Sequence, residues 1–291
     1  MTQQLIDAHL HLFNLAQGNY HWLKEKNPPF WPDKNIINQS FNEQDLKLTP
    51  SFELGGFIHI EAGFDNKQPW REISWLESHC KIPFRSVAAV DLTLDKDAFI
   101  QQVDQLLSYK SVVGCRHILD EQAAEILQSN DISNNLNYLA SKQLSFDLQM
   151  PLTDKKSVDL LVKLLTSIPV LTIMINHAGW PPYQSDFKGK AWLDWQDAIN
   201  TLSQFKQCAI KCSGWEMIDR NYSDDFIARV ISSCIDAFGD NRVMLASNFP
   251  LNLFHQSYEN LWQTYSAMKL TSNQLTALTR ANAAYWYRLT L

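Results

Sequence analysis

Short apolar runs rich in β-branched residues recur eight times along the chain, with helical patterns in much of the sequence between them. We place candidate strands at residues 4–9, 56–61, 84–90, 112–116, 144–149, 170–176, 208–211 and 243–246. Apolar residues return every three or four positions in four further segments, which predicts helices there. These segments are residues 96–107, 157–165, 224–238 and 273–289. Such alternation is typical of a parallel sheet covered by helices.

Eight alternating strands favour a closed (β/α)8 barrel of the TIM type, because no glycine-rich phosphate turn of an open dinucleotide-binding sheet follows the first run. A length of 291 residues suits a single barrel, so we expect one domain over residues 1–291. Two stretches without a clean period, 14–50 and 181–193, would be long loops after strands 1 and 6. The active site should lie at the carboxyl ends of the strands.

Composition and charge narrow the range of partners. The net charge is −6 and no run of Lys and Arg is present, which argues against nucleic acid. No apolar run approaches the roughly 18 residues of a membrane span, and the first residues lack the features of a secretory signal. Five scattered cysteines without metal-site spacing favour reduced, buried thiols. We therefore expect a cytoplasmic protein that binds a small molecule, without membrane association. Barrels of this kind often associate as homo-oligomers, and the sequence leaves the oligomeric state open.

Three histidines follow predicted strands. His9 and His11 form a His-x-His pair at the end of the first run, and His177 directly follows the sixth. Side chains two apart on a strand point to one face, so both imidazoles of the pair can converge at the barrel mouth, as metal ligands do. A lone pair of this kind is equally compatible with partly buried structural residues. The third histidine at the same end favours a functional site.

Several motifs resemble the amidohydrolase-related family, in its branch of sugar lactonases and pyrone-dicarboxylate lactonase. They occupy residues 6–13, 114–117, 145–149, 176–181, 211–214 and 246–250. The resemblance implies that His9, His11 and His177 line the catalytic pocket and direct water onto an ester or similar carbonyl. In metal-using relatives these histidines would hold one divalent ion, with zinc as the first candidate, which lowers the pKa of bound water. Some lactonases of this branch work without a metal, and both alternatives stay open here.

The chain departs from this family after strand 8, where Asn248 stands in place of the expected aspartate. An amide takes no proton near neutral pH and is a weaker metal ligand than a carboxylate. In one hypothesis another carboxylate is the general base. Glu61, placed by alternation on the same face of strand 2 as His59, is the first candidate, with Asp91 and Asp147 behind it. In a second, Asn248 orients substrate or water and a histidine is the base. In a third, the pocket binds its ligand without turnover.

Four further residues are candidate substrate contacts. Arg116 and His117 end strand 4 and Lys211 ends strand 7, where cationic groups can bind a carboxylate or form structural ion pairs. Trp22 lies in the first long loop, where an indole can stack on a ring substrate or pack in the core. The resemblance, supported by the three histidines and the cationic strand ends, implies a lactonase-like hydrolase. A decarboxylase on the same scaffold and a catalytically impaired binding relative are the alternatives.

Overall fold

The computed structural model describes residues 2–183 and 187–291, and in this part of the chain eight parallel strands form one sheet. The strands are β1 (Gln3–Leu10), β2 (Phe52–Ile60), β3 (Phe84–Ala89), β4 (Val112–Ile118), β5 (Ser145–Gln149), β6 (Ile173–Ile175), β7 (Cys208–Cys212) and β8 (Val243–Leu245). Neighbours pair in chain order from β1 to β8. Leu10 pairs in parallel with Phe249, just beyond β8, and brings the two sheet ends together. The predicted (β/α)8 barrel is confirmed.

Helices follow the strands on the outside of the sheet. They are α1 (Trp70–His79), α2 (Lys96–Leu106), α3 (Ala123–Ile126), α4 (Asn130–Ser141), α5 (Lys155–Ser167), α6 (Lys190–Ser203), α7 (Trp215–Ile218), α8 (Asp224–Phe238), α9 (Tyr258–Ser266), α10 (Ser272–Thr276) and α11 (Asn282–Trp286). Helix α8 matches its predicted bounds because Ser223 caps it by accepting from the Phe226 N–H, and Gly239 ends it with a φ of 76°. The helix predicted over 273–289 is instead divided by a π-helical turn at Ala277–Ala281.

Each predicted strand overlaps an observed one, but the sixth was predicted too long. Val170 is 73% exposed and Asn176 already begins a 3-10 turn, so only Ile173–Ile175 pair. The loop after β1 contains only short 3-10 turns before β2. The loop predicted at 181–193 is shorter than expected because α6 begins at Lys190, and residues 184–186 of it lie outside the described residues.

Side chains alternate between two apolar clusters along the strands, as the pleat requires. In β8, Val243 and Leu245 belong to the larger cluster shared with the helices, whereas Met244 belongs to a smaller one inside the barrel. Tyr287 from the C-terminal segment packs into this inner cluster. Polar residues occupy the other end of the barrel, at the carboxyl ends of the strands. No helix within the described residues is long and apolar enough to cross a membrane.

Candidate active site

A cavity of about 580 Å³ opens at the carboxyl ends of the strands. Six of the residues singled out from the sequence line it, namely His11, Trp22, Glu61, Arg116, His177 and Asn248. Three others are not on its described wall: His9 and Lys211 are completely buried beside it, and His117 lies elsewhere. The barrel therefore brings together residues that are up to 237 positions apart in sequence, such as His11 and Asn248.

The three histidines form a compact cluster. The ring centroid of His9 lies 5.1 Å from that of His11 and 4.6 Å from that of His177. Burial lowers the pKa of His11 to about 3, with a further contribution from the charge of Arg116. Burial and neighbouring positive charges also hold the pKa values of His9 and His177 well below the ordinary range. All three rings are therefore neutral near pH 7.

The tautomer of His11 follows from its hydrogen bonds. Its Nδ1 lies 2.8 Å from the carbonyl oxygen of Ile60, which only accepts, so Nδ1 carries the hydrogen. The lone pair of Nε2 then faces Oδ1 of Asn248 at 3.3 Å. Two acceptors face each other at the cavity wall, and a water or a substrate hydroxyl can supply the donor that they lack.

His177 is held by an unusual backbone. Three residues of the turn after β6, His177, Ala178 and Trp180, have φ between 51° and 56°, in the left-handed region that costs energy for residues other than glycine. The His177 ring packs on Trp180 with centroids 4.7 Å apart, and its Nδ1 lies 3.1 Å from Ser213 Oγ. A Cβ at Gly214 would come within 2.4 Å of that Nδ1. Gly214 is therefore required for the position of this ring.

A buried polar layer lies behind His9. Nζ of Lys211 is 2.5 Å from Oδ2 of Asp147 and 3.0 Å from Nδ1 of His9, and the Tyr287 hydroxyl donates to the same Asp147 oxygen. Burial lowers the pKa of Lys211 to about 8, against the opposing charge of Asp147, so the amine is mostly an ammonium at pH 7. It donates to Nδ1 of His9, which leaves the ring hydrogen on Nε2. Lys211 thus orients His9 and does not reach the cavity.

Arg116 and Glu61 contact each other on the cavity wall. The guanidinium donates through Nε to Oε1 of Glu61 at 2.8 Å and through Nη2 to the Glu61 carbonyl oxygen, while Nη1 donates to Gln149. Burial alone would raise the pKa of Glu61, but the charge and hydrogen bonds of Arg116 outweigh it and lower the pKa. Glu61 is therefore a weak base, and much of the positive charge of Arg116 is already compensated.

The alternation argument fails at the end of β2. His59 does not share a face with Glu61: its ring turns outward to the buried Glu72 of α1, at 3.0 Å, whereas Glu61 lines the cavity. The chain leaves the strand after Ile60, so the two-residue period no longer applies. His117 likewise points away from Arg116, with Nδ1 3.2 Å from the Val90 carbonyl oxygen. It is not a wall residue of this cavity.

Sequence reasoning missed Glu216, the second residue of α7. Nδ2 of Asn248 donates to Oε1 of Glu216 at 2.6 Å, and Oε2 is buried with no partner among the described residues. Burial raises the pKa of Glu216 to about 7, although the Asn248 hydrogen bond opposes the shift. The signal available was position, because Glu216 follows shortly after the motif at 211–214 that ends β7.

The residues present do not fit a metal ion in this arrangement. Across residues 2–183 and 187–291, no group of three or more His, Cys, Asp or Glu side chains is placed to hold one. Nε2 of His9 is buried without a partner in this part of the chain, which would suit a ligand, but the ammonium of Lys211 at Nδ1 leaves the hydrogen on that Nε2. Asn248 adds only an amide oxygen. The chemistry derived from this site therefore uses the side chains alone.

Indole rings form part of the outer wall. Trp22 donates from Nε1 to the Ala62 carbonyl oxygen at 2.8 Å and contacts Trp31 edge to face. Both line the cavity together with Trp180. Trp215 instead is fully buried and donates to the Tyr265 hydroxyl, so it belongs to the core.

Comparisons with solved structures agree with the fold. An amidohydrolase from Burkholderia multivorans superposes with a TM-score of 0.81 in a crystal with bound HEPES and 0.80 in one with bound zinc, at 19% identity and over 99% of this chain and 100% of that one. A Pseudomonas putida protein described as a putative 2-pyrone-4,6-dicarboxylic acid hydrolase gives 0.72 at 16% identity over the full length of both chains. 2,6-Dihydroxybenzoate decarboxylase from Rhizobium gives 0.63 at 14% identity over 99% of each. At these identities the likeness shows the fold.

Sequence comparisons define the family. The uncharacterized protein y4mH of Sinorhizobium fredii is 28% identical over 302 residues, covering 98% of each chain. L-fucono-1,5-lactonase of Burkholderia multivorans is 27% identical over 127 residues, which cover 40% of this chain and 43% of the lactonase. The family model described as amidohydrolase matches residues 6–289. The chain belongs to the amidohydrolase family.

Proposed function

We propose that this protein is a lactonase that adds water to the ester carbonyl of an uncharged sugar lactone. The observation that carries the proposal is the charge of the cavity. Arg116 is the only cationic side chain among the described lining residues, and it is paired with Glu61. Asp120 adds a second carboxylate to the wall. A substrate carboxylate would meet no free cation on this described wall, whereas a neutral polyol would meet hydroxyl acceptors.

The histidines supply the acid–base chemistry of lactone opening. A water that donates to His11 Nε2 or Asn248 Oδ1 is oriented at the wall, and neutral His177 accepts one of its protons as the oxygen attacks the carbonyl carbon. The C–O bond of the ring then breaks, and the imidazolium returns the proton to the leaving ring oxygen. The product is a hydroxy acid, which ionises in solution.

The shape of the wall supports a ring-shaped, hydroxylated substrate. Trp22, Trp31 and Trp180 line the cavity with aromatic rings, and Gln149 and Asp120 add polar groups. Aromatic faces combined with a few polar groups are typical of small-molecule sites that fix the orientation of a ring. The partial similarity to L-fucono-1,5-lactonase supports the same class of substrate.

Decarboxylation of an aromatic acid is the second candidate, supported by the fold shared with 2,6-dihydroxybenzoate decarboxylase. It requires a group that binds the departing carboxylate, and the Arg116–Glu61 pair makes this less favourable than lactone opening. A panel of neutral aldonolactones, 2-pyrone-4,6-dicarboxylate and dihydroxybenzoates separates the two. We expect acid release from neutral lactones and no carbon dioxide from the aromatic acids. Carbon dioxide release without lactone opening would reverse the assignment.

The donor set also predicts the response to metal removal. Because Lys211 caps His9 and an amide replaces the expected aspartate, we expect divalent metal to bind below stoichiometric amounts and lactone opening to survive dialysis against a chelator. Elemental analysis before and after dialysis, with activity assays on both samples, measures these properties. Stoichiometric zinc whose removal abolishes activity would show that these side chains rearrange around an ion.

A further inference from the structure

We propose that Glu216 and Asn248 act as one unit in place of the missing aspartate, with Glu216 as the positioning residue for the Asn248 amide. The inference rests on the proposed lactonase function and deepens it. The Asn248 oxygen contacts the reacting water, and the Glu216 carboxylate holds that oxygen in place from behind without touching the substrate.

The contacts assign a direction to each end of the amide. Glu216 accepts from Nδ2 of Asn248 at 2.6 Å, which directs Oδ1 towards His11 Nε2 at 3.3 Å. Asn248 lines the cavity, whereas Glu216 is 1% exposed and lies behind it. An amide that donates to a carboxylate also becomes more negative at its own oxygen. Glu216 thus makes Asn248 a better acceptor for the water that His11 also faces.

The backbone fixes both partners independently of this hydrogen bond. The Asn248 N–H donates to the His9 carbonyl oxygen at 2.8 Å, and its φ of 58° lies in the left-handed region that Asn and Asp tolerate better than most residues. Glu216 is carried by α7, which begins after Gly214. Aspartate can therefore adopt the backbone of Asn248, so replacing the amide by a carboxylate tests the side chain and not the turn.

The pairing makes a specific statement about Asn248→Asp. An aspartate here would place two carboxylates about as close as the present 2.6 Å contact, with no cation between them. One must then stay protonated or the pair must separate. The variant is expected to lose activity although it introduces the aspartate that the resemblance implies at this position. Adding Glu216→Gln supplies an amide donor to the introduced carboxylate and reverses the polarity of the same hydrogen bond.

The experiment compares E216Q, N248D and N248D/E216Q, with E72Q as matched control. Glu72 is also a buried helical carboxylate, but it bonds to His59 and the Ala62 N–H outside the cavity. We expect kcat on a neutral lactone to fall by about 10–100-fold in E216Q with little change in KM, as for other residues that orient a reacting group. The melting temperature of N248D should fall by about 5–10 °C. Both the activity and the melting temperature that N248D loses should recover in N248D/E216Q.

A folded E216Q whose kcat equals that of E72Q would overturn the inference, and so would an N248D as stable and active as N248D/E216Q. The melting temperatures keep the test independent of the substrate. If wild type opens no lactone, the proposed function fails, while non-additive melting temperatures of the two substitutions still support the pair. Additive melting temperatures would overturn the pair whether or not the lactones are opened.

Discussion

Two buried glutamates on opposite sides of the cavity differ in their partners. Glu61 after β2 pairs with the Arg116 guanidinium at 2.7 Å, whereas Glu216 after β7 accepts from the neutral amide of Asn248. The positive charge lowers the pKa of Glu61, and burial raises that of Glu216 to about 7. Glu61 is thus a fixed anion, whereas Glu216 can gain or lose a proton near neutral pH.

The difference separates structural from adjustable charge. A buried carboxylate with a cation is stable only while that cation stays, because an unpaired buried charge is costly. A buried carboxylate that is hydrogen-bonded to an amide can be protonated without leaving an unmatched cation behind. The strand 2–4 side therefore carries a fixed ion pair, and the strand 7–8 side carries a buried carboxyl group whose charge can change near neutral pH.

The largest expected effect comes from Arg116→Met, which leaves Glu61 charged and unpaired. We expect a loss of about 3–5 kcal/mol in the free energy of unfolding, measured by urea denaturation. The double variant R116M/E61Q removes both charges and should recover most of that loss. If R116M alone were as stable as wild type, the pair would not be the fixed ion pair described above.

Gly214→Ala should have the next largest effect, because the new Cβ would lie 2.4 Å from Nδ1 of His177 and φ is 72°. A displaced ring should lower kcat by about 100-fold. Gly239→Ala is the control, since it meets a similar φ of 76° with only Asn241 Oδ1 at 3.6 Å. It should lose stability and keep kcat. Equal kcat values for the two variants would contradict the role given to Gly214.

The pH dependence of stability should differ in sign between the two glutamates. The folded pKa of Glu216 lies above its ordinary value of 4.5, so its contribution to stability is present below pH 4.5 and is lost as the pH rises to about 7. The loss amounts to up to about 3 kcal/mol. Glu61 has a lowered pKa, so its contribution is present above its ordinary value of 4.5 and is lost on acidification. Urea unfolding of E216Q and E61Q across this pH range measures both contributions to the free energy of unfolding. Parallel pH profiles of the two variants would contradict the difference in sign between the two glutamates.

The smallest effect is expected at the cavity mouth. Arg220 pairs with Asp33 at 2.8 Å and lies over the rings of Phe254 and Trp31, which ties the loop after β1 to the far wall. Arg220→Ala should raise KM about two- to fivefold through loss of these partly exposed contacts, with little change in kcat. An unchanged KM would show that the loop does not depend on this contact.

Much of the fold could be predicted from apolar periodicity, since all eight strands fall where the runs predict them. Strand ends alone indicate which side chains reach the cavity wall, as for His11, His177 and Asn248, which line it. Prediction failed where the chain leaves the strand or where a partner decides the outcome. His59 and Glu61 separate because the strand ends between them, whereas Lys211 forms the structural ion pair that the sequence left open as an alternative to a substrate contact. Glu216 follows the motif at 211–214, but that position does not indicate its contact with Asn248, 32 positions away.

The most direct test of the central claim is lactone opening in ¹⁸O-labelled water by wild type and His177→Asn, followed by mass spectrometry of the product. We predict that a neutral sugar lactone yields a hydroxy acid with one ¹⁸O in its carboxylate, and that H177N forms it at least about 100-fold more slowly while remaining folded. Wild type that incorporates no label above the uncatalysed rate, or H177N as fast as wild type, would contradict a lactonase built on these histidines.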